Sequence, residues 1–260
     1  MDAFEGNCFS AKPLLLFYQA NKIKTNGVLT MMPFSRTMVS SLGKKIFMGL
    51  TGLALSGFIV VHLMGNLALL NPDKDPFNKY AHFLLSLGTL LYVAEFILAA
   101  IFLIHFIYAI YITIGNWLAR PQGYVMVKNA KHASKKTLAS ISMIWTGLLI
   151  IVFTVLHLLH FKYGEVIMYT TADGVFIRDL YTLVYRFFSN IWNVIFYVLV
   201  MISLGVHVSH GLWSAFQSLG IDGLRFTRFV YGFGYVFAVF MGVGFLFLPV
   251  WIYMVTGGLL

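Results

Sequence analysis

Cysteine and charge are scarce in this chain of 260 residues. Its one cysteine, Cys8, excludes an intramolecular disulfide, an iron–sulfur cluster with cysteine ligands and haem attached through a C-x-x-C-H motif. Charged residues make up only 10% of the chain, which is too few for the surface of a large soluble domain. Any bound cofactor must therefore have other ligands, in a protein that is mainly apolar.

Apolar residues supply 60% of the chain and aromatic residues 17%, and the mean hydropathy is +0.84. This composition is typical of an integral membrane protein. The net charge of +9 is shared among short segments between apolar runs, where lysine and arginine set the orientation in the membrane. We therefore expect the chain to contact membrane lipid and not to bind nucleic acid.

Five apolar segments are each long enough to cross a hydrocarbon core of about 30 Å. The first lies in a run from Ile46 to Pro72 that contains no Asp, Glu, Lys or Arg. We predict an all-α integral membrane bundle, residues 42–257, preceded by a cytoplasmic and partly disordered tail, residues 1–41. The five predicted spans, numbered in chain order, are residues 42–70, 88–117, 138–161, 190–217 and 229–256.

The distribution of charge predicts the orientation of the spans. The segment before span one and the loop after span two are strongly basic. The loops after spans one and three are balanced in charge, and the C-terminus has no charged residue. The positive-inside rule therefore places the N-terminus in the cytoplasm and the C-terminus outside.

Small residues at four-residue spacing predict close helix contacts, because in lipid such residues let two backbones approach. Span one has Gly52 and Ser56 in this pattern, and span five has Gly234, Ala238 and Gly242. The sequence shows no clear internal repeat, although spans three and four share an H-x-x-H near their ends.

Ionisable side chains are costly inside a membrane and usually have a specific partner. Six of the eight histidines lie inside the predicted spans, namely His62, His105, His157, His160, His207 and His210. With the N-terminus inside, His62 and His157 share the outer half of the membrane, and His105 and His207 share the inner half. The first four spans therefore carry two histidine pairs at two depths.

Two histidines that face each other across a four-helix bundle can hold haem iron through two axial nitrogens. We expect two haems, stacked across the membrane inside the first four helices. Structural zinc is the rival assignment, but it needs four converging ligands, and these pairs are separated and have no thiolate nearby. His160 and His210 lie one turn after His157 and His207 and stay open as alternative ligands. Otherwise, His210 is expected to hydrogen-bond or to contact a haem propionate.

Three motifs carry a family resemblance: H-L-M-G-N-L in span one, H-L-L-H-F in span three and H-V-S-H-G-L-W-S-A-F-Q in span four. Over residues 40–257 the chain resembles the dihaem cytochrome b membrane anchor of the succinate dehydrogenase/fumarate reductase family, in its five-helix single-anchor type. The resemblance implies a multi-pass protein of the bacterial inner membrane. It also implies one haem ligand from each of the first four helices, His62, His105, His157 and His207.

The resemblance further implies a flavoprotein subunit and an iron–sulfur subunit on the cytoplasmic side, and a dimer of the whole complex. Electrons would pass through two haems b to or from a quinone, expected to be menaquinone, with no succinate or fumarate site on this chain. Some family members have a glutamate two residues before the span-four ligand, proposed there to conduct protons. Here that residue is Gly205, so the use of that proton route and the physiological direction stay open.

Two other functions remain as alternatives. The chain could be the cytochrome b anchor of another membrane dehydrogenase, of the formate dehydrogenase or hydrogenase type. It could also be a histidine-containing transporter, which would be colourless.

Glu95 is the only acidic residue inside a predicted span. A carboxyl group in a low-dielectric site tends to stay protonated, which suits proton exchange with a quinone. We expect Glu95 to serve a quinone site near the outer haem, with Lys79, His82 and Arg186 as weaker candidates for quinone or propionate contacts. A neutral glutamic acid that only braces helix packing is the alternative.

The cytoplasmic surface is expected to dock the soluble subunits. Its candidate segments are the basic loop 120–136, Lys44 with Lys45, and the loop 218–228. The alternative is that these lysines and arginines only fix the topology.

Overall fold

The computed structural model describes residues 40–119, 138–221 and 226–257, and every structural statement below concerns these ranges. All the described residues belong to one compact unit, which begins at Ser40. The predictions made for residues 1–39, for the basic loop 120–136 and for positions 222–225 of the loop 218–228 lie outside the described residues. Within them, the helices are α1 (Ser41–Asn66), α2 (Asp75–Ser86), α3 (Thr89–Leu118), α4 (Leu138–His157), α5 (Leu180–Phe188), α6 (Ile191–Ser218) and α7 (Phe226–Thr256).

Shorter elements extend or connect these helices. A 3-10 turn, Leu67–Leu70, continues α1, and a π-helical turn, Leu158–Lys162, continues α4. Between α4 and α5 the strands β1 (Met168–Thr170) and β2 (Phe176–Arg178) form an antiparallel hairpin in which Tyr169 pairs with Ile177.

The prediction of five membrane spans is confirmed. The five helices that are long and apolar enough to cross a membrane are α1 with its 3-10 turn, α3, α4 with its π turn, α6 and α7. Their bounds agree with the predicted spans to within three residues. The chain is therefore a multi-pass membrane protein with an all-α core, to which the structure adds the short helices and the hairpin that hydropathy did not predict.

Local sequence sets several helix ends. Ser40, Asp179 and Asn190 each precede a helix, and their side-chain oxygens accept hydrogen bonds from backbone N–H groups of its first turn. Gly88 lies between α2 and α3 with a φ of 55°, a left-handed conformation that glycine adopts without strain. The chain can therefore reverse between these helices within a few residues.

Helix α6 is the central element of the bundle. It packs against α1, α4 and α7, and its residues Val200 and Met201 are almost fully buried. By contrast, no residue of α3 is buried within the described part of the chain. Apolar side chains of α3 such as Phe96 are exposed, which suits contact with lipid.

Small residues do let α6 and α7 approach closely, as predicted for span five. A Cβ added at Gly242 would lie 3.4 Å from the Cα of Gly205, and one added at Gly205 would lie 3.5 Å from the carbonyl oxygen of Ala238. A side chain longer than a methyl group at position 205 would meet the α7 backbone. This contact is a physical reason for glycine, rather than glutamate, at that position.

One end of the bundle is covered by a cap, which we define as residues 67–88 and 163–190. We call this end the cap side, and the end where α1 begins the N side. Asp179, which is 3% exposed, accepts hydrogen bonds from Lys74 Nζ (2.7 Å) and Asn78 Nδ2 (2.9 Å) and from the backbone N–H and hydroxyl of Thr182. These bonds join two segments that are distant in sequence.

Asp179 should be a main source of cap stability. Burial raises its pKa, but the hydrogen bonds from Lys74, Thr182 and Asn78 outweigh burial and hold the pKa below its usual range. Asp179→Ala should lower the free energy of unfolding by about 2–4 kcal/mol, because it leaves several buried donors without an acceptor. Thermal unfolding of the purified protein measures this loss.

The contribution of Asp179 to stability should depend on pH in one direction. Because the folded state lowers the pKa of Asp179, its contribution is present above about pH 4 and is lost as the pH falls through the folded-state pKa. Asp173→Ala is the control, because Asp173 is exposed and its ion pair with Lys79 should contribute little. Equal loss of stability in the two variants would contradict the role given to Asp179.

Candidate functional site

The structure brings the four histidines together in two pairs. On the cap side, the ring centroids of His62 in α1 and His157 in α4 are 5.8 Å apart, with 82° between the ring planes. On the N side, the centroids of His105 in α3 and His207 in α6 are 6.5 Å apart, with 66° between the planes. Each pair joins two different helices, with the partners that depth predicted. Their role as haem ligands stays a prediction.

The two pairs lie at different levels of the bundle. Thr51 contacts His105, so this part of α1 marks the level of the N-side pair. His62 follows Thr51 on the same helix after about three turns, or about 16 Å. Lys44 contacts Tyr111, Phe47 stacks on Tyr108 and Thr51 contacts His105, so α1 and α3 run in opposite directions.

Threonine hydroxyls hold the N-side imidazoles. Thr51 Oγ1 lies 3.0 Å from His105 Nδ1, and Thr146 Oγ1 lies 3.1 Å from His207 Nδ1. Each threonine also donates its hydroxyl hydrogen to a backbone carbonyl one turn earlier, that of Phe47 or Ser142. Each oxygen is then an acceptor toward the imidazole, so Nδ1 carries the proton and the Nε2 lone pair is free.

Two glycines make room for these rings. A Cβ on Gly52 would lie 3.3 Å from His105 Cε1, and one on Gly147 would lie 3.4 Å from His207 Cε1. The sequence interpretation of Gly52 as a point of backbone approach is therefore wrong. Gly49 has that role instead, since its Cβ would lie 3.2 Å from the carbonyl oxygen of Ala215 in α6.

Aromatic rings surround the cap-side pair. Phe58 lies one turn before His62 with ring centroids 5.3 Å apart, and Phe153 lies one turn before His157 at 5.4 Å. The hydroxyl of Tyr197 is 3.4 Å from His157 Nδ1, which is longer than the threonine contacts. This pair therefore lies in a more apolar environment, with weaker hydrogen bonding to its imidazoles.

The matching contacts reveal a repeat that sequence analysis missed. Helices α1 and α4 both read M-x-x-T-G-L-x-x-x-x-F-x-V-x-H-L, starting at Met48 and at Met143. The shared letters include the threonine and glycine at the N-side pair and the phenylalanine and histidine at the cap-side pair. The expectation of no clear repeat is therefore wrong, and aligning the spans on their histidines would have found it.

His160 and His210 have other ring neighbours in the described structure. The ring of His160 packs on Phe187, with centroids 4.5 Å apart, and the ring of His210 lies near Trp213 at 6.2 Å. The paired positions belong to the earlier histidine of each H-x-x-H. This geometry favours His157 and His207 over their neighbours as ligands.

Glu95 has a partner that the sequence did not reveal. Its Oε2 lies 2.5 Å from Nζ of Lys162, at the end of the π turn that continues α4, and both side chains are about one-third exposed. Glu95 precedes His105 by the same interval as Tyr197 precedes His207. This match supports a position near the level of the cap-side pair. The sequence did not predict this ion pair, because Lys162 lies beyond the end of the predicted third span.

The weaker candidates lie in the cap. Lys79 Nζ is 2.6 Å from a carboxylate oxygen of Asp173 and 3.7 Å from one of Asp75, and these contacts raise its pKa. Lys79 and His82 line a shallow cavity of about 280 Å³ between α2 and the hairpin. Arg186 is exposed on α5.

Across residues 40–119, 138–221 and 226–257, no group of three or more His, Cys, Asp or Glu side chains converges as a metal-ion site would require. The histidines therefore offer two nitrogens at each of two places. Such sites suit a cofactor that supplies its own equatorial ligands.

Comparison with known proteins found no match for this chain among protein-family models, curated proteins or solved structures. Its classification therefore rests on its own architecture, a multi-pass membrane protein with five candidate spans. The more specific resemblance drawn from the histidine motifs stays a prediction.

The contact between Glu95 and Lys162 predicts an energetic coupling. Glu95→Gln and Lys162→Met should each destabilise the protein, because each leaves one charge without its partner, and the double variant should lose less than the sum. We expect a coupling of about 1 kcal/mol in a double-mutant cycle on thermal unfolding. The ion pair of Lys79 and Asp173 in the cap is the comparison. Its side chains are more exposed, so its coupling energy should be smaller. Purely additive effects for Glu95 and Lys162 would show that the two do not interact.

Proposed function

We propose that this chain is the membrane-anchor cytochrome b subunit of a succinate:quinone oxidoreductase. In this role it holds two haems b, each between two histidines, and passes electrons between a cytoplasmic iron–sulfur subunit and membrane quinone. The observation that carries the proposal is the spacing of the paired imidazoles, 5.8 Å and 6.5 Å between centroids.

This spacing fits a metal atom between the rings. A metal–imidazole bond is about 2 Å long, and a ring nitrogen lies about 1 Å from its centroid, so two axial imidazoles should have centroids about 6 Å apart. Both observed values lie close to this number. The free Nε2 atoms of His105 and His207, and the space left by Gly52 and Gly147, also fit axial ligation.

The chemistry supplied by a bound haem is the reversible gain and loss of one electron. The protein contributes the two axial nitrogens, the hydrogen bonds that orient them and the apolar surroundings that exclude water. Because two histidines would hold each haem, the sites would suit electron transfer rather than oxygen chemistry. The two pairs lie at levels about 16 Å apart along α1. Electron transfer across the membrane would therefore be divided into two shorter steps.

The soluble partners would bind on the N side. Positive-inside counting places this side in the cytoplasm, where a flavoprotein subunit and an iron–sulfur subunit would deliver or receive electrons near His105 and His207. Lys44 lies at this end, with Nζ 4.0 Å from the ring centroid of Tyr111. Its charge, with those of Lys45 and Arg228, supports docking of an acidic protein surface. Succinate as the source of electrons rests on the histidine motifs and the family they resemble.

Glu95 supports a quinone site on the cap side. A quinone that gains electrons must also gain protons, and Glu95 is a carboxyl group near the level of His62 and His157. The ion pair with Lys162 places a cation beside this carboxyl group at the end of α4. Menaquinone is the expected substrate, and a dimer of the complex is the expected assembly.

The purified protein should contain two noncovalent, low-spin haems. A pyridine haemochrome measurement should give two per chain, because each pair fills both axial positions of one iron. His62→Ala and His157→Ala should each remove the same haem signal, and His105→Ala and His207→Ala the other. His132→Ala, in the loop after span two, is the control and should leave both signals intact. A colourless protein, or different signals lost within one pair, would overturn the proposal.

Glu95→Gln should keep both haem signals and lower quinone turnover severely, because it preserves the shape of the side chain but cannot titrate. The measurement is succinate-dependent quinone reduction by the assembled complex. Glu165→Gln, the same substitution at an exposed glutamate of the cap, is the control and should leave turnover unchanged. Full turnover by Glu95→Gln with normal haem content would return Glu95 to a packing role.

A further inference from the structure

The same threonine–glycine contact occurs twice at the N-side pair. In α1 and again in α4, a threonine followed by a glycine contacts the histidine of a neighbouring helix: Thr51 and Gly52 at His105, Thr146 and Gly147 at His207. The distances agree within 0.1 Å between the two copies. The hydrogen bonds measure 3.0 and 3.1 Å, and a Cβ added at each glycine would lie 3.3 or 3.4 Å from Cε1 of the histidine. Two contacts with nearly the same geometry, on different helices, indicate that the orientation of the two imidazoles is constrained.

Helix packing alone does not account for this geometry. A buried threonine commonly donates its hydroxyl to a carbonyl one turn earlier, and Thr154 in α4 does so to Ile150 at 2.7 Å. Thr51 and Thr146 make the same bond and, in addition, present their oxygen to a histidine. The backbone bond fixes the hydroxyl hydrogen, so the oxygen can only accept from Nδ1–H.

A hydrogen bond from Nδ1–H has a known effect on an imidazole that binds a metal. It fixes the tautomer and the ring orientation, and it makes Nε2 a stronger electron donor. Stronger donation stabilises the oxidised iron more than the reduced iron, and so lowers the reduction potential.

We propose that Thr51 and Thr146 are positioning residues that orient His105 and His207 and lower the reduction potential of the haem held between them. This inference rests on the proposed function, since it needs a haem at the N-side pair. The cap-side pair has no equivalent threonine contact within the described residues, and its one hydroxyl contact, from Tyr197 to His157, is longer at 3.4 Å. The threonines therefore act on one haem and not on the other.

The test is a redox titration of the purified complex, followed by the visible absorption of each haem. Thr51→Val and Thr146→Val keep the shape of the side chain and remove the acceptor oxygen. Each should raise the potential of the N-side haem, by up to a tenfold change in the reduction equilibrium, which is 59 mV for one electron.

Three controls separate positioning from damage to the fold. Thr51→Ser keeps the oxygen, so the N-side haem should retain the wild-type potential. Thr154→Val removes a threonine with the same backbone bond but no histidine contact, and should leave both potentials unchanged. The cap-side haem is the internal control in every sample. If Thr51→Val does not accumulate, Thr51→Cys, with a weak acceptor, should give a smaller shift in the same direction.

The outcomes distinguish the two proposals. A wild-type protein without haem would overturn the proposed function. Two haems in the wild type, with unchanged N-side potentials in Thr51→Val and Thr146→Val, would overturn only the role of the threonines. An equal shift of both haems in these variants would also overturn it, because the effect would then be general rather than local.

Discussion

The cost of placing imidazoles inside a membrane is the constraint on which the arrangement of the bundle depends. Lipid offers no hydrogen-bond partner, so each polar ring must find one within the protein or a cofactor. For His105 and His207 the Nδ1 side is satisfied by Thr51 and Thr146. In the proposed function, a bound metal would satisfy their other nitrogens. The protein thus supplies a hydrogen-bond partner for Nδ1 of each ring, and the proposed cofactor would supply the partner for Nε2.

The repeat in α1 and α4 explains how one sequence pattern serves both levels. Each of these helices gives a histidine to the cap-side pair and a threonine with a glycine to the N-side pair. The spacing between these two groups, about three turns, sets the distance between the levels. Because both helices carry the same pattern, the two pairs stay in register with one another. α3 and α6 then need to supply only His105 and His207.

Much of this architecture follows from the sequence alone. Long apolar runs predict the five spans, and the position of each histidine within its run predicts which two share a level. The cap was missed because α2, the hairpin and α5 are too short to cross a membrane, and their arrangement comes from contacts between distant residues such as Asp179 and Lys74. The partner of Glu95 was missed for the same reason, since hydropathy places Lys162 in a loop. The role of Gly52 was misjudged because residue spacing alone does not show what a glycine faces.

Electrostatics and packing together decide where a carboxylate can lie in this bundle. At position 205, a glutamate would point at the backbone of α7, where Gly242 and Ala238 leave room for little more than a methyl group. Glu95 lies instead on α3, a helix without buried residues in the described part of the chain, and Lys162 balances its charge. A proton taken up on the cap side would therefore use a paired, partly exposed carboxylate. The close contact of α6 with α7 and the exposed surface of α3 thus explain why the bundle holds a carboxylate on α3 and not at position 205 of α6.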